Sequence, residues 1–155
     1  MRDNNYLLER MYSIWEEYFA DIPRKNLVLI KFGKYSKRRL GSIKWADTRT
    51  KVKTLYINHL DEHAIQDDKR ISLITITRYF QNDVVPAEVI DATIGHELVH
   101  YAHGFHSPLR KLYKHPHRGG IVDKEMAKRG MENLLEFSEE WLKRNWVKTI
   151  RTVGK

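Results

Sequence analysis

The sequence predicts one α+β domain, in which helices at both ends of the chain enclose a small, mostly antiparallel sheet. Three observations support this prediction. A chain of 155 residues is long enough to bury one core but too short for two. Apolar residues recur at helical spacing near both termini, and short runs of β-branched and aromatic residues lie between them. No shift in composition marks a boundary, so residues 1–155 are expected to form a single domain.

The first half of the chain is predicted to form one helix and four strands. From Tyr6 to Phe19 apolar residues recur at three- and four-residue steps, which is typical of a helix with one buried face. Runs rich in β-branched and aromatic residues predict the strands, and the polar stretch 61–70 predicts a loop. The predicted strands are Leu27–Phe32, Arg39–Ala46, Val52–Asn58 and Ile71–Thr77.

The second half is predicted to form three helices. The first, Pro86–His103, begins with a proline that suits a first helical turn and is followed by Gly104, which permits a left-handed stop. A shorter helix is expected over Ile121–Arg129, with Gly130 as its cap. An amphipathic pattern continues from Met131 to the end of the chain and predicts the last helix.

The composition narrows the possible chemistry. The chain has no cysteine, which excludes disulfides, thiolate nucleophiles and zinc sites with cysteine ligands. A metal ion would therefore be held by histidine or carboxylate side chains. No stretch approaches the roughly 18 consecutive apolar residues of a membrane span, and the N-terminus lacks the apolar segment of a secretory signal. These features lead us to expect a cytoplasmic protein with no membrane partner.

The formal net charge of +8 favours an acidic partner such as nucleic acid, because Lys and Arg release counterions when they bind phosphates. Basic residues are dense between positions 31 and 53, where Asp47 is the only acidic residue. They are Lys31, Lys34, Lys37, Arg38, Arg39, Lys44, Arg49, Lys51 and Lys53. Such residues either face phosphates or protect a sheet edge against aggregation, and the sequence leaves both interpretations open.

Two tryptophans near the C-terminus, Trp141 and Trp146, are interleaved with basic residues. Aromatic side chains in such a setting can stack on nucleic-acid bases. The helical spacing of these two favours packing in the core instead.

Residues 96–100 read HELVH, an HExxH motif. Positions four apart on a helix lie only about 40° from each other around its axis, so the imidazoles of His96 and His100 can bind one metal ion. Glu97 lies about 100° from His96, beside the metal and not on it, where a general base for a metal-activated water belongs. The motif therefore predicts a hydrolytic metal site.

The other residues of the motif helix predict that the side opposite the two histidines is buried and that the side with the histidines is open. Ile90, Ile94, Leu98 and Tyr101 recur at near-helical intervals on the side opposite the two histidines. Gly95 costs about 1 kcal/mol of helix propensity relative to Ala, which indicates the close approach of a neighbouring element. We therefore expect the histidines to face a cleft.

A catalytic zinc ion usually takes a third protein ligand and leaves one position to water. The candidates are His106, His115, His117 and Glu125. His106 follows His100 by six residues, as in metzincin-type sites, whereas His117 lies before a turn that would bring an imidazole back over the motif helix, and it is preferred. His103 lies about 10.5 Å along a straight helix from His96, so it is expected near the rim of the cleft.

The stretch that leads into the motif, PAEVIDATIGHELVH at 86–100, together with a following loop, His117 and Gly130, resembles the SprT-like (Spartan-type) zinc metalloprotease domain. Upstream, KRRLGS at 37–42 is similar to the arginine-rich, Leu-Gly start of a strand in that family. The resemblance covers about residues 6–130. It implies a zincin-like fold and a third zinc-binding histidine that opens a helix after a variable loop, a position that His117 matches.

The resemblance further implies proteolysis near DNA. Many members of the family carry a C-terminal zinc ribbon, which a chain without cysteine cannot form, so targeting would depend on the basic surface or on a partner. Arg118 follows His117 where the family usually has a glycine, and Ile121 takes the place of an aromatic residue.

These observations predict a zinc metallopeptidase whose metal ligands are His96, His100 and His117. Glu97 is expected to take a proton from the water that attacks the peptide carbonyl and to pass it to the leaving amine. The expected partners are a protein or peptide substrate and DNA. Tyr113 and His115 are considered for the oxyanion because they lie near in sequence.

Two other functions remain open at this stage. The first is a non-catalytic nucleic-acid-binding module with a structural or vestigial metal site. The second is a metal hydrolase that acts on a non-peptide bond, which an HExxH motif does not exclude. Zinc itself is inferred from the ligand type, since imidazoles also accept Co²⁺, Ni²⁺ or Cu²⁺.

Overall fold

Four α-helices and three strands make up the part of the chain that the computed structural model describes, residues 1–47 and 70–153. The helices are α1 (Asn4–Tyr18), α2 (Ala87–Ala102), α3 (Ile121–Lys128) and α4 (Glu132–Thr152). The strands are β1 (Val28–Phe32), β2 (Gly41–Trp45) and β3 (Ser72–Ile76), and short 3₁₀ helices span Arg78–Gln81 and Arg118–Gly120. The predicted α+β class is confirmed. The predicted strand Val52–Asn58 and nearly all of the predicted loop 61–70 lie outside the described residues.

The strand order of the sheet is β1-β3-β2, with β3 in the centre. β3 runs parallel to β1, where Val28 pairs with Ser72, and antiparallel to β2, where Ile43 pairs with Ile74. For these three strands the predicted mostly antiparallel sheet is wrong, because the sheet is mixed. Short connections favour antiparallel neighbours, but β3 follows both other strands in the chain and lies between them.

Helix α1 begins earlier than its apolar pattern predicts because Asp3 caps it. The Asp3 carboxylate accepts a hydrogen bond from the backbone N–H of Tyr6 at 2.9 Å, which satisfies one of the free donors at the helix N-terminus. The buried face consists of Leu7, Met11, Ile14 and Trp15. This face packs against β1 and α2 and forms one wall of the main core.

Helix α2 contacts two strands of the sheet, β2 and β3, and each of the other three helices. Its predicted back face is confirmed, because Ile90, Ile94, Leu98 and Tyr101 are all at most 1% exposed. The close approach predicted at Gly95 is also confirmed. A Cβ atom there would lie 2.4 Å from Cε of Met131, at the start of α4. α2 is therefore held from several sides.

Arg129, which follows α3, connects that helix to the end of α1. Its guanidinium donates to Glu125 Oε2 at 2.7 Å, to Asp21 Oδ1 at 2.6 Å and to the carbonyl oxygen of Tyr18 at 2.9 Å. The chain then turns at Gly130, where φ is +93°, a value that favours glycine. These contacts fix the start of α4 against the rest of the domain.

The C-terminal tryptophans pack against the core, as their spacing favoured. The Trp146 ring lies edge-on to Tyr79 and Phe80, with ring centroids 5.4 and 5.7 Å apart, and its N–H donates to the carbonyl oxygen of Lys37 at 2.8 Å. Trp141 is partly buried against the same core. Within residues 1–47 and 70–153, no helix combines the length and apolar character needed to cross a bilayer.

Candidate metal centre

Two of the three predicted metal ligands come from one turn of α2. His96 and His100 are four residues apart, and their Nε2 atoms lie 3.2 Å from each other. The ring centroids are 4.8 Å apart. Both imidazoles therefore direct a nitrogen at the same point in front of the helix, as the helical spacing predicts.

The third histidine, His117, comes from the loop after α2. It lies directly before the 3₁₀ turn Arg118–Gly120, in which Gly119 and Gly120 have φ values of +69° and +68° that permit a sharp change in direction. The His117 ring centroid lies 5.6 Å from that of His96 and 4.6 Å from that of His100. One ring nitrogen from each histidine lies within 4.8 Å of the others, close enough to bind one metal ion.

The lowered pKa values of the two helix histidines favour the binding of a cation. Burial is the main cause that lowers the pKa of His100 to about 3, and the other histidines lower it further. Burial and His117 also lower the pKa of His96, and the carboxylate of Asp123 opposes them. Both imidazoles are therefore neutral near pH 7, the form with a lone pair that a metal ion needs.

The second ring nitrogen of His100, Nδ1, lacks among the described residues the hydrogen bond that usually orients a metal-bound histidine. A metal-bound histidine commonly donates its other N–H to a carboxylate, a carbonyl or water. Nδ1 of His100 is buried, and the side chains and backbone of the described ranges offer it no hydrogen-bond partner. The orientation of this ring therefore depends on packing, including its contact with Phe105 at 5.7 Å between centroids.

Glu97 lies beside the histidines in a buried position. It is only 4% exposed, and burial raises its pKa to about 8, an effect that the positive charge of Arg39 partly opposes. A cation bound by the neighbouring histidines would favour the ionised carboxylate. β2 leaves room for this side chain at Gly41, where a Cβ atom would lie 3.0 Å from Oε2 of Glu97.

The histidines and Glu97 face a cleft of about 600 Å³. Its other lining residues come from β2 and the segment before it, and from the loop after α2: Arg38, Arg39, Gly41, Ser42, Ile43, Lys44, Phe105 and His106. The cleft that the motif helix predicted is therefore present, with the candidate ligands on one wall and β2 on the other.

Two of the other candidate ligands, His106 and Glu125, have partners outside the histidine group. Nδ1 of His106 accepts a hydrogen bond from the backbone N–H of Trp45 at 3.4 Å, so the ring lies at the end of β2 although it lines the cleft. Glu125 accepts from Arg129 and lies 3.4 Å from Nε2 of His103. Neither these residues nor His115 belongs to the histidine group described above.

His103 does not lie at the rim of the cleft, where it was expected. It is 4% exposed and packs against Tyr113, with ring centroids 4.8 Å apart. It is directed away from the metal site because it ends α2 on the side that faces Glu125 of α3. The cleft lining includes neither Tyr113 nor His115, so the geometry gives no support to an oxyanion role for either residue.

Three residues affect the space or the pKa values at the site in ways that the sequence did not predict. Gly41 leaves space for the Glu97 side chain. The positive charge of Arg39 lowers the pKa of Glu97, and the carboxylate of Asp123 raises the pKa of His96. An aspartate in the first turn of a helix is common for capping reasons alone, so Asp123 carried no distinctive signal. Gly41 belongs to the KRRLGS segment on which the resemblance rests, but its contact with Glu97 of α2 depends on tertiary packing.

Three imidazoles are a donor set typical of catalytic zinc sites, in which water takes the fourth position, so the residues present fit a divalent metal ion. Comparisons with protein-family models, with curated proteins and with solved structures found no match for this chain.

Proposed function

We propose that this protein is a zinc-dependent metallopeptidase of the SprT-like type. One observation carries the proposal: His96, His100 and His117 bring a ring nitrogen each within 4.8 Å of one another, and Glu97 follows the first of them at the position of a general base. The adjoining cleft of about 600 Å³ is open to a polypeptide segment. The proposed substrate is a protein or peptide, and the proposed location is the cytoplasm.

In this proposal the chain holds the metal and moves one proton. A zinc ion bound by the three histidines would act as a Lewis acid and lower the pKa of an adjacent water molecule. The Glu97 carboxylate accepts the proton of the attacking water and then donates it to the leaving amine. The buried position of Glu97 keeps bulk water from competing for that proton, and Gly41 allows the carboxylate to lie close to β2.

The proposal also includes action on proteins bound to DNA. What supports this part is the basic character of the cleft wall, where Arg38, Arg39 and Lys44 are exposed, together with the net charge of +8. Lys and Arg on such a wall could contact phosphates. Arg49, Lys51 and Lys53 lie outside the described residues and carry no part of this argument.

The test combines metal analysis with proteolysis. Purified, unchelated protein is analysed for zinc, and cleavage of an unfolded protein is followed with and without DNA, for the wild type and for Glu97→Gln. We expect one zinc per chain in both proteins and at least a hundredfold lower cleavage by the variant, because removal of a general base typically costs 10²–10⁴-fold.

Three outcomes would contradict the proposal. No stoichiometric metal in the wild type would remove its basis. Full zinc occupancy without turnover on any peptide, and with DNA binding unaffected by a chelator, would favour the non-catalytic nucleic-acid-binding module. Turnover of ester or non-peptide amide substrates alone would instead identify a different hydrolase.

A further inference from the structure

The cleft that contains the candidate metal centre is lined by charges of mostly one sign. Arg38, Arg39 and Lys44 contribute cationic side chains to its lining, whereas Glu97 is the only carboxylate that the described residues place there. A concave site with charges of one sign focuses the field on whatever enters it. The cleft therefore attracts anionic groups.

The charge is not evenly distributed along the cleft. A hollow of about 280 Å³ adjoins it at β2 and is lined by Lys34, Arg39 and Lys44, and none of its described lining residues is a carboxylate. A second hollow of about 310 Å³ adjoins it at α3 and α4, where Asp123 and Glu139 accompany the arginines. Arg39 lines both hollows and the cleft. One end of the cleft is therefore basic and the other is mixed.

Among the described residues, the cations at the basic end form no ion pair, although the charge of Arg39 acts on the nearby Glu97. Among the described ranges, no carboxylate forms an ion pair with Lys34, Arg39 or Lys44, while Arg10 and Arg129 are paired with Asp91 and with Asp21 and Glu125. The basic hollow also has hydroxyl groups in its lining, from Ser36, Ser42, Thr75 and Thr77. Ammonium, guanidinium and hydroxyl donors are the groups that bind a carboxylate.

We propose that this hollow is a subsite for an acidic side chain of the polypeptide substrate, located on one side of the scissile bond. The inference rests on the proposed peptidase function, because it places the substrate in the cleft beside Glu97. A hollow of about 280 Å³ accepts a Glu or Asp side chain. A DNA duplex, whose major groove alone is about 12 Å wide, is too broad to enter it.

The first experiment measures cleavage. Zinc-loaded protein digests an unfolded protein, mass spectrometry identifies the cut sites, and peptides that span the preferred site are made with each Glu or Asp replaced by Gln or Asn. We expect one acidic position to matter, with kcat/KM about fivefold lower for its amide version, the size of one partly exposed ion pair. In Lys34→Gln/Lys44→Gln the difference between the two peptides is expected to shrink, because of the three cations of the hollow Arg39 alone then remains.

The second experiment measures binding without turnover. Fluorescence anisotropy compares the same labelled acidic and amide peptides on Glu97→Gln, alone and combined with Lys34→Gln/Lys44→Gln. The control for both experiments is Lys37→Gln, because Lys37 is exposed but is absent from the lining of the cleft and of both hollows. The control is expected to retain the preference for the acidic peptide.

The outcomes separate this inference from the proposed function. Equal cleavage of acidic and amide peptides by the wild type overturns the subsite and leaves the peptidase intact. If the unfolded protein is not cleaved, the peptidase proposal fails, and the subsite, which rests on it, fails with it. If the two lysine substitutions weaken binding of a single-stranded oligonucleotide but not of the acidic peptide, the hollow serves nucleic acid and the inference is wrong.

Discussion

Gly41 of β2 lies directly against Glu97 of α2, so that a Cβ atom at position 41 would stand 3.0 Å from Oε2 of Glu97 and 2.9 Å from Cγ2 of Thr93. We therefore expect Gly41→Ala to displace the Glu97 carboxylate and to lower kcat at least tenfold. Overpacking of this kind typically costs about 1–3 kcal/mol of stability. Zinc content should be unchanged, because Gly41 contributes no ligand atom to the histidine group.

The control for this prediction is the double variant Thr93→Ala/Gly41→Ala. It removes the methyl group of Thr93 that the new Cβ atom would meet, and we expect it to recover part of the lost stability. Wild-type kcat in Gly41→Ala would show that the position of Glu97 does not depend on this glycine.

His117 is the ligand that the loop contributes, and its removal should affect metal binding as strongly as removal of a helix histidine. We expect His96→Ala, His100→Ala and His117→Ala each to lose zinc at concentrations where the wild type is saturated, which equilibrium dialysis against a competing chelator measures. His106→Ala is the matched control, since His106 lines the cleft but contacts Trp45 instead of the histidine group. Zinc loss in His106→Ala with retention in His117→Ala would reverse the assignment.

The metal-free protein should be most stable in mildly acidic solution. The pKa of Glu97 is raised from 4.5 to about 8, so the unfolded chain binds fewer protons there and stability falls as pH rises through that interval. The pKa of His100 is lowered from 6.5 to about 3, so stability rises with pH between those values. The two effects oppose each other between about pH 4.5 and 6.5, and only the Glu97 effect remains above this range.

Denaturant titrations of chelated protein at a series of pH values test this prediction. Glu97→Gln removes the titrating group while keeping a similar shape, so its stability should not fall between pH 6.5 and 8 as that of the wild type does. A wild-type profile that rises through this interval would contradict the burial of Glu97 in the folded, metal-free state.

The Arg129 contacts should contribute more to the free energy of unfolding than an exposed ion pair of the same type does. Arg129 is 12% exposed and joins Glu125, Asp21 and the carbonyl oxygen of Tyr18, so Arg129→Gln should lower the free energy of unfolding by about 1–3 kcal/mol. The control is Arg144→Gln, which removes the pair with Glu140 on α4, where both side chains are more than half exposed. Such a pair contributes at most about 1 kcal/mol. If thermal or chemical unfolding shows that the two substitutions lower the free energy of unfolding equally, the prediction is wrong.

The sequence predicted those parts of the site that local geometry determines. The convergence of His96 and His100 follows from the pitch of a helix, and the buried back of α2 follows from the spacing of its apolar residues. The place of His117 was harder to predict, because it depends on a loop and on two glycines with positive φ. His106 was a credible alternative by spacing, and only its contact with Trp45 of β2 separates it from the metal group.

The pairing of the strands could not be predicted in the same way. Periodicity identifies β1, β2 and β3 one at a time, but it does not say which strand lies between the others. That arrangement depends on contacts between distant parts of the chain, such as the pairing of Val28 with Ser72. The contact of Gly41 with Glu97 is non-local for the same reason, and it gave no signal beyond the presence of a glycine.

The order β1-β3-β2 also affects how the chain acquires its structure. β3 is the last of the three strands to be synthesised, and β1 and β2 each pair with it. Neither earlier strand has this partner until residue 76 has left the ribosome, and the parallel pair requires closure of a long loop. Contacts between distant residues slow folding, and unpaired strand edges promote aggregation in the meantime. In a nascent chain, β1 and β2 therefore lack β3 as a partner until a stage that shortly precedes synthesis of α2 and its histidines.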